Sequence, residues 1–180
     1  MRVNRLQRWW LSAWPHRIHI RRFVPRFLRA CPDPFRGEVL EVGSGGGFTS
    51  RRILETFPQV ELTATDIDAQ MEHGVERLQD KYGQRLKWRR ADLMNLPFDR
   101  SSFDIVIAIN VLHDISDLKG AVQQIIRVLR PGGLIGLGGE GSYLPGLKKI
   151  LFEEECEVVR LKEGVCYYIW ARKSYPIEVK

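Results

Sequence analysis

The sequence predicts an α/β domain in which helices cover both faces of a doubly wound, mostly parallel, seven-stranded sheet. Three observations carry this expectation. From Gly37 onward, short apolar runs alternate with amphipathic stretches, the pattern of parallel strands joined by crossover helices. The first run closes in a glycine cluster, Gly43 to Gly47, at the strand-to-helix turn where open α/β sheets bind ligands. The last two runs are joined by Lys162-Glu163-Gly164 alone, too short a link for a parallel crossover, so the sheet is expected to end in an antiparallel hairpin.

Taken in order, Glu38 to Val42 reads as the first strand, and a helix follows with Phe48, Ile53, Leu54 and Phe57 as its apolar positions. Val60 to Thr65 reads as the second strand. Met71, Val75, Leu78 and Tyr82 then recur at i, i+4, i+7 and i+11, one face of a helix. Leu86 to Ala91 is a weaker third strand. Phe103 to Ile109 is a nearly continuous apolar, β-branched run, as expected of a central strand buried on both faces. Leu118, Val122, Ile125 and Leu129 mark the next helix, which Pro131-Gly132-Gly133 is expected to stop. Leu134 to Leu137 gives a fifth strand and Leu144 to Phe152 a short helix. Cys156 to Leu161 and Val165 to Arg172 form the closing hairpin.

At 180 residues, 44% hydrophobic and 28% charged, the chain fits one globular domain with a sizeable core. No apolar run approaches the roughly 18 residues of a spanning helix, and no leader-like apolar segment follows the start, so the expected location is cytoplasmic. Cys31, Cys156 and Cys166 match neither a disulfide framework nor a metal ligand set and are expected to be reduced thiols. The net charge of +6 is unevenly spread. Arg2, Arg5, Arg8, Arg17, Arg21, Arg22, Arg26 and Arg29 precede the first acidic residue, Asp33, leaving 20 basic and 22 acidic residues in the remainder. The chain therefore divides by composition into a basic, aromatic-rich helical arm, residues 1–31, and a nearly neutral domain, residues 32–180. In the arm, Leu6, Trp10 and Trp14 would share one helix face, ended by Pro15. Such an arm suits peripheral contact with an anionic membrane or a cover over the site; single-stranded nucleic acid is the less favoured partner.

The glycine cluster permits positive φ and direct approach of a ligand to the backbone. It is not the dinucleotide fingerprint, because Phe48 stands where a third glycine is required, and it lacks the Gly-Lys-Ser/Thr of a phosphate loop. Asp66, 21 residues after Gly45 and at the end of the second strand, is placed to accept hydrogen bonds from a ribose diol. Asp92, just past the third strand, can accept one from an exocyclic adenine amine.

Glu41-Val42-Gly43-Ser44-Gly45-Gly46-Gly47, Thr65-Asp66-Ile67-Asp68, Ala91-Asp92-Leu93 with Leu96-Pro97-Phe98, and Val128-Leu129-Arg130-Pro131-Gly132-Gly133 together resemble class I, Rossmann-like methyltransferases. The last of these, with Val111-Leu112-His113-Asp114-Ile115 before it, is similar to the segments of the small-molecule, quinone-biosynthesis type. The resemblance implies S-adenosyl-L-methionine as cofactor and a small, apolar or lipid- or quinone-like acceptor. Gly43, Gly45 and Gly47 would then flank the methionine part and Glu41 would hold its ammonium. Asp66 would bind the ribose hydroxyls, Ile67 would pack on adenine, and Asp92, with Leu93 beside it, would reach the adenine amine. Asp68 reads as a helix cap.

Methyl transfer from a sulfonium is an in-line displacement served by positioning and exclusion of water. Asn110 and His113, after the fourth strand, are the candidates for meeting the acceptor, with His113 as base if a proton must leave. The family's nucleic-acid amino-methylating enzymes carry an Asp/Asn-Pro-Pro-aromatic run where this chain has Asn110-Val111-Leu112-His113, and no cysteine lies near for attack on a cytosine ring. An RNA methyltransferase using the basic arm, and a cofactor-binding protein without transfer, are the alternatives.

Overall fold

The computed structural model describes residues 14–140 and 143–175. The helix expected across Leu6 and Trp10 lies outside them. The first described element, α1, spans Trp14–Arg29. Pro15 is the second residue of this element, a position where a missing N–H costs nothing.

The remaining elements follow the expected alternation: β1 (Gly37–Val42), α2 (Phe48–Thr56), β2 (Val60–Asp66), α3 (Glu72–Tyr82), β3 (Leu86–Arg90), β4 (Phe103–Ile109), α4 (Leu118–Val128), β5 (Leu129–Glu140), α5 (Leu144–Glu153), β6 (Cys156–Lys162) and β7 (Cys166–Lys173). They build one seven-stranded sheet in the order β3-β2-β1-β4-β5-β7-β6. The first five strands are parallel, and β7 runs antiparallel to both neighbours. One expectation fails at the start of β5. Leu129 fits the helical spacing, yet it pairs with Phe103 as a strand residue. Pro131-Gly132-Gly133, expected to stop the helix, lies inside β5, at a register shift, with Gly132 in the left-handed region. Proline and glycines are tolerated in a strand at such an irregularity.

Alternation along each strand builds two cores. On one face Leu40, Val42, Val106, Ala108, Ile135 and Leu137 pack under Val122 and Ile125 of α4 and Leu147 and Leu151 of α5. On the other, Val39, Ile105, Ile107, Leu62 and Trp170 pack under Phe27 of α1, Ile53 of α2 and Val75 of α3. The sheet is therefore doubly wound, with both faces covered.

The packing does not divide at residue 31. Phe23, Val24, Phe27 and Leu28 of α1 are buried, and Phe27 stacks on Trp170 at 4.8 Å between ring centroids. The Trp170 indole N–H donates to the Phe27 carbonyl at 3.2 Å. Arg172 and Asp33 pair through both carboxylate oxygens, tying the segment after α1 to β7. Glycines let the helix sit this close to the sheet. A Cβ at Gly136 would strike Phe27 and Trp170, and one at Gly138 would strike Phe23. Since Phe27 lies over Gly136 and Phe23 over Gly138, α1 runs antiparallel to β5. Its N-terminal end stands at the carboxyl end of that strand.

Candidate cofactor and acceptor site

The sheet reverses its direction of travel at β1, with β2 and β3 on one side and β4 on the other, which opens a crevice at the carboxyl ends of these strands. The glycine loop forms its floor. Gly43, Gly45 and Gly47 all adopt positive φ, at 73°, 50° and 80°, so every second residue needs glycine. The loop is tied to β2 twice: the Ser44 N–H donates to the Thr65 carbonyl at 2.8 Å, and the Gly45 N–H donates to Asp66 Oδ2 at 2.9 Å. The other Asp66 oxygen accepts from the Asp68 N–H at 2.9 Å. Asp66 is thus oriented on both sides at the crevice wall. Asp68 accepts from the Gln70 N–H, the capping contact expected of it.

Ile67 is half-buried in the turn after β2, and the Arg90 guanidinium holds its carbonyl at 3.1 Å. Asp92 is exposed; one of its oxygens accepts from the Met94 N–H at 2.9 Å. Leu93 differs from its expected neighbours, because its side chain is committed to the core beside α4. Arg127 of α4 secures this loop from below, donating to the carbonyls of Leu96 at 2.6 Å and Phe98 at 2.7 Å.

At the end of β4, Asn110 takes positive φ, 55°, and its N–H donates to the Gly138 carbonyl at 2.9 Å. Asparagine tolerates this conformation better than other side chains bearing a Cβ. His113 lies exposed in the following turn, and its carbonyl accepts from the Tyr143 hydroxyl at 3.4 Å. The structure thus gathers Gly43, Gly45, Gly47 and Asp66 at one crevice, with Asn110 and His113 following the adjacent strand β4. The side chains of Leu93 and Glu41 are turned inward.

Glu41 lies on the face of β1 covered by α2, fully buried, and accepts a hydrogen bond from Ser50 Oγ. Burial pushes its carboxyl up to about 8; the nearby Asp66 charge acts in the same direction, and the Ser50 and Thr49 hydroxyls oppose both. A folded-state value above the unfolded one means that the folded protein binds the extra proton. This contribution to stability is present below the ordinary carboxyl range and is lost as pH rises through about 8. The ligand-free protein should therefore unfold at progressively lower urea concentration between pH 5 and pH 8. Glu41→Gln should flatten that trend, and an equally steep trend in the variant would assign it to other groups.

Two contributors escaped the sequence reading. Gly74 on α3 touches the loop so closely that a Cβ there would lie 2.8 Å from Gly46 Cα. A glycine inside a helix costs about 1 kcal/mol relative to alanine, and that cost was the available signal. Ser44 Oγ is buried without a hydrogen-bond partner among the described residues. An orphaned hydroxyl in a loop of left-handed glycines fits a polar ligand group better than a closed structural turn.

A family profile described as a methyltransferase domain matches residues 40–137. The ubiquinone/menaquinone biosynthesis C-methyltransferase UbiE of Desulfotalea psychrophila is 29% identical over 114 residues, covering 63% of this chain and 44% of that protein. The chain spans less than half the length of the curated relatives it matches. Among solved structures, a SAM-dependent methyltransferase from Aquifex aeolicus superposes with a TM-score of 0.69 at 18% identity, covering 83% of this chain and 89% of that one. The [4+2]-cyclase SpnF superposes with a TM-score of 0.75 at 16% identity, over 85% and 80% of the two chains. These two likenesses establish a shared fold.

Proposed function

Because the chain belongs to the methyltransferase-domain family, we propose that it transfers a methyl group from S-adenosylmethionine to a small, apolar acceptor of the lipid or quinone kind. The observation that carries this reading is the bond from the Gly45 N–H to Asp66, which fixes the acid of β2 against the left-handed glycine loop. When bound, the cofactor supplies an electrophilic methyl group on a sulfonium, open to in-line displacement by an acceptor nucleophile. The chain's own part is to position and to exclude water. Gly43, Gly45 and Gly47 hold the methionine end, with Glu41 toward its ammonium and Ser44 Oγ as a further polar contact. Asp66 takes the ribose hydroxyls, Ile67 the adenine face and Asp92 the adenine amine, while Leu93 anchors the loop. Asn110 and His113 meet the acceptor, His113 accepting a proton where one must leave.

The acceptor class draws support from the relative named for quinone biosynthesis and from the direction of α1, which opens at the carboxyl end of β5. Membrane contact falls to the segment preceding Trp14, because Phe23, Val24, Phe27 and Leu28 are taken up by the core. No helix among the described residues is long and apolar enough to cross a membrane. A second reading, binding without transfer, has one observation in its favour: the same fold serves a [4+2]-cyclase. Incubation with methyl-labelled S-adenosylmethionine and pools of quinones and lipids separates the two. Label in a product supports transfer; tight binding with no labelled product supports the second reading.

Calorimetry tests the residue assignment. S-adenosylmethionine and its demethylated product should bind and NAD should not. Asp66→Ala and Asp92→Ala should each weaken binding by about 1–3 kcal/mol, the loss of a hydrogen bond in which one partner is charged. Unchanged affinity in both variants would remove the assignment, and equally tight NAD binding would remove the cofactor.

A further inference from the structure

The two edges of the sheet differ in a way that bears on association. The β3 edge carries Lys87, Arg89 and Arg90, all exposed and all positive, so two copies meeting there would repel. The β6 edge reads Glu157-Val158-Val159-Arg160-Leu161-Lys162, with acid first and base last, and Glu157 to Arg160 are exposed. A strand ordered in this way is the charge complement of itself turned antiparallel.

The faces agree with that pairing because of a bulge. In a regular strand Glu157 and Arg160, three residues apart, would point to opposite faces. Here the register shifts between Val158 and Arg160, so Glu157 opposes Arg172 while Arg160 opposes Trp170, two residues of β7 on one face. Cys156 and Leu161 likewise share the other face, opposite Lys173 and Ile169. A two-fold axis normal to the sheet then sets Glu157 against the second copy's Arg160 twice over, Cys156 against Leu161, and the Val158-Val159 pair against itself. Alternation alone would forbid this register; the bulge permits it.

Apolar surface accompanies the edge. Val158 and Val159 are each 38% exposed and Phe152 of α5 is 83% exposed. Lys148 pairs with Glu163 in the hairpin turn at 3.3 Å, so this face of α5 lies beside the hairpin. Phe152 is one helical turn further along the same face. Among the described residues β6 is an edge strand, and Phe152 lies exposed beside it.

We propose that β6 is a self-association edge, through which a second copy of this chain pairs antiparallel and joins the two sheets into one. This inference is independent of the cofactor and acceptor assignments. Sedimentation velocity on the full chain, from about 1 to 100 µM, is the test, since micromolar self-association falls in that window. The species should grow from 20.9 kDa toward twice that mass. Arg160→Glu and Glu157→Arg, each setting like charges together at two symmetry-related places, should each weaken association about tenfold or more. The double exchange, Glu157→Arg with Arg160→Glu, should restore it. Amides of residues 157–161 in the unsubstituted chain should exchange more slowly as concentration rises, a readout that does not depend on any variant folding. A chain that stays monomeric throughout, a dimer indifferent to both reversals, or one whose 157–161 amides exchange at the monomer rate would overturn the proposal.

Discussion

Replacing Phe27 by alanine is expected to lower folding stability by about 3–5 kcal/mol, the range for deleting a fully buried aromatic side chain. Phe27 is inaccessible to solvent, stacks on Trp170, lies 5.9 Å from Phe23 between centroids, and meets Tyr168 edge-on at 6.3 Å. Trp170 and Tyr168 belong to β7, held between β5 and β6, so they have little freedom to collapse into the space vacated. Urea unfolding should show a fall in midpoint with little change in slope, since the surface exposed on unfolding hardly alters. Arg26→Ala, on the exposed side of the same helix, should stay within about 0.5 kcal/mol of the unsubstituted chain. A chain beginning at Pro32 removes Phe23, Val24, Phe27 and Leu28 together and should lose its cooperative transition. A loss below about 1 kcal/mol for Phe27→Ala would mean that α1 is an accessory and not part of the core.

Gly43→Ala should disable the cofactor loop. The added methyl would stand 2.2 Å from Val111 Cγ2, on a backbone at φ +73° that residues with a Cβ adopt rarely. The left-handed conformation costs about 1–2 kcal/mol, and the overpacking about 1–3 kcal/mol more. Much of the strain falls on the turn that positions the Gly45 N–H against Asp66, so affinity for S-adenosylhomocysteine should drop by well over tenfold in calorimetry. Adding Val111→Ala removes the clash but not the backbone penalty. The double variant should therefore recover part of the loss, a non-additivity expected of residues in contact. Full affinity in the single variant would show that the loop does not touch the ligand.

What the sequence disclosed follows from how local each signal is. Phe103 to Ile109 was readable to the residue because a strand buried on both faces leaves an unbroken apolar run. The conformation of the glycine loop was readable because a left-handed backbone restricts the residue type. The hairpin was readable because three residues cannot cross a sheet. The packing of α1 was not. Phe23, Val24, Phe27 and Leu28 interleave with arginines as they would in an interfacial helix, and the surface they serve includes Trp170, 143 residues beyond Phe27. Leu129 fits the helical spacing of α4 while lying one residue past its end, so periodicity alone could not place the boundary. Gly74 and Ser44 act through a close approach and a missing partner, and neither leaves a periodic trace.

The hydrogen bond from Trp170 to the Phe27 carbonyl also sets a schedule for synthesis. The apolar side of α1 is made well before the indole that covers it. At roughly 5–20 residues per second, a ribosome needs about 7–30 s to traverse that interval. Until its end the helix has no finished surface on which to dock, although β1, β2 and β4 with the glycine loop are made earlier in it and can pair. The nascent chain should thus acquire its nucleotide-side crevice early and remain open along β5 until β7 arrives. Chaperone contact or aggregation during expression would then concentrate on residues 23–28.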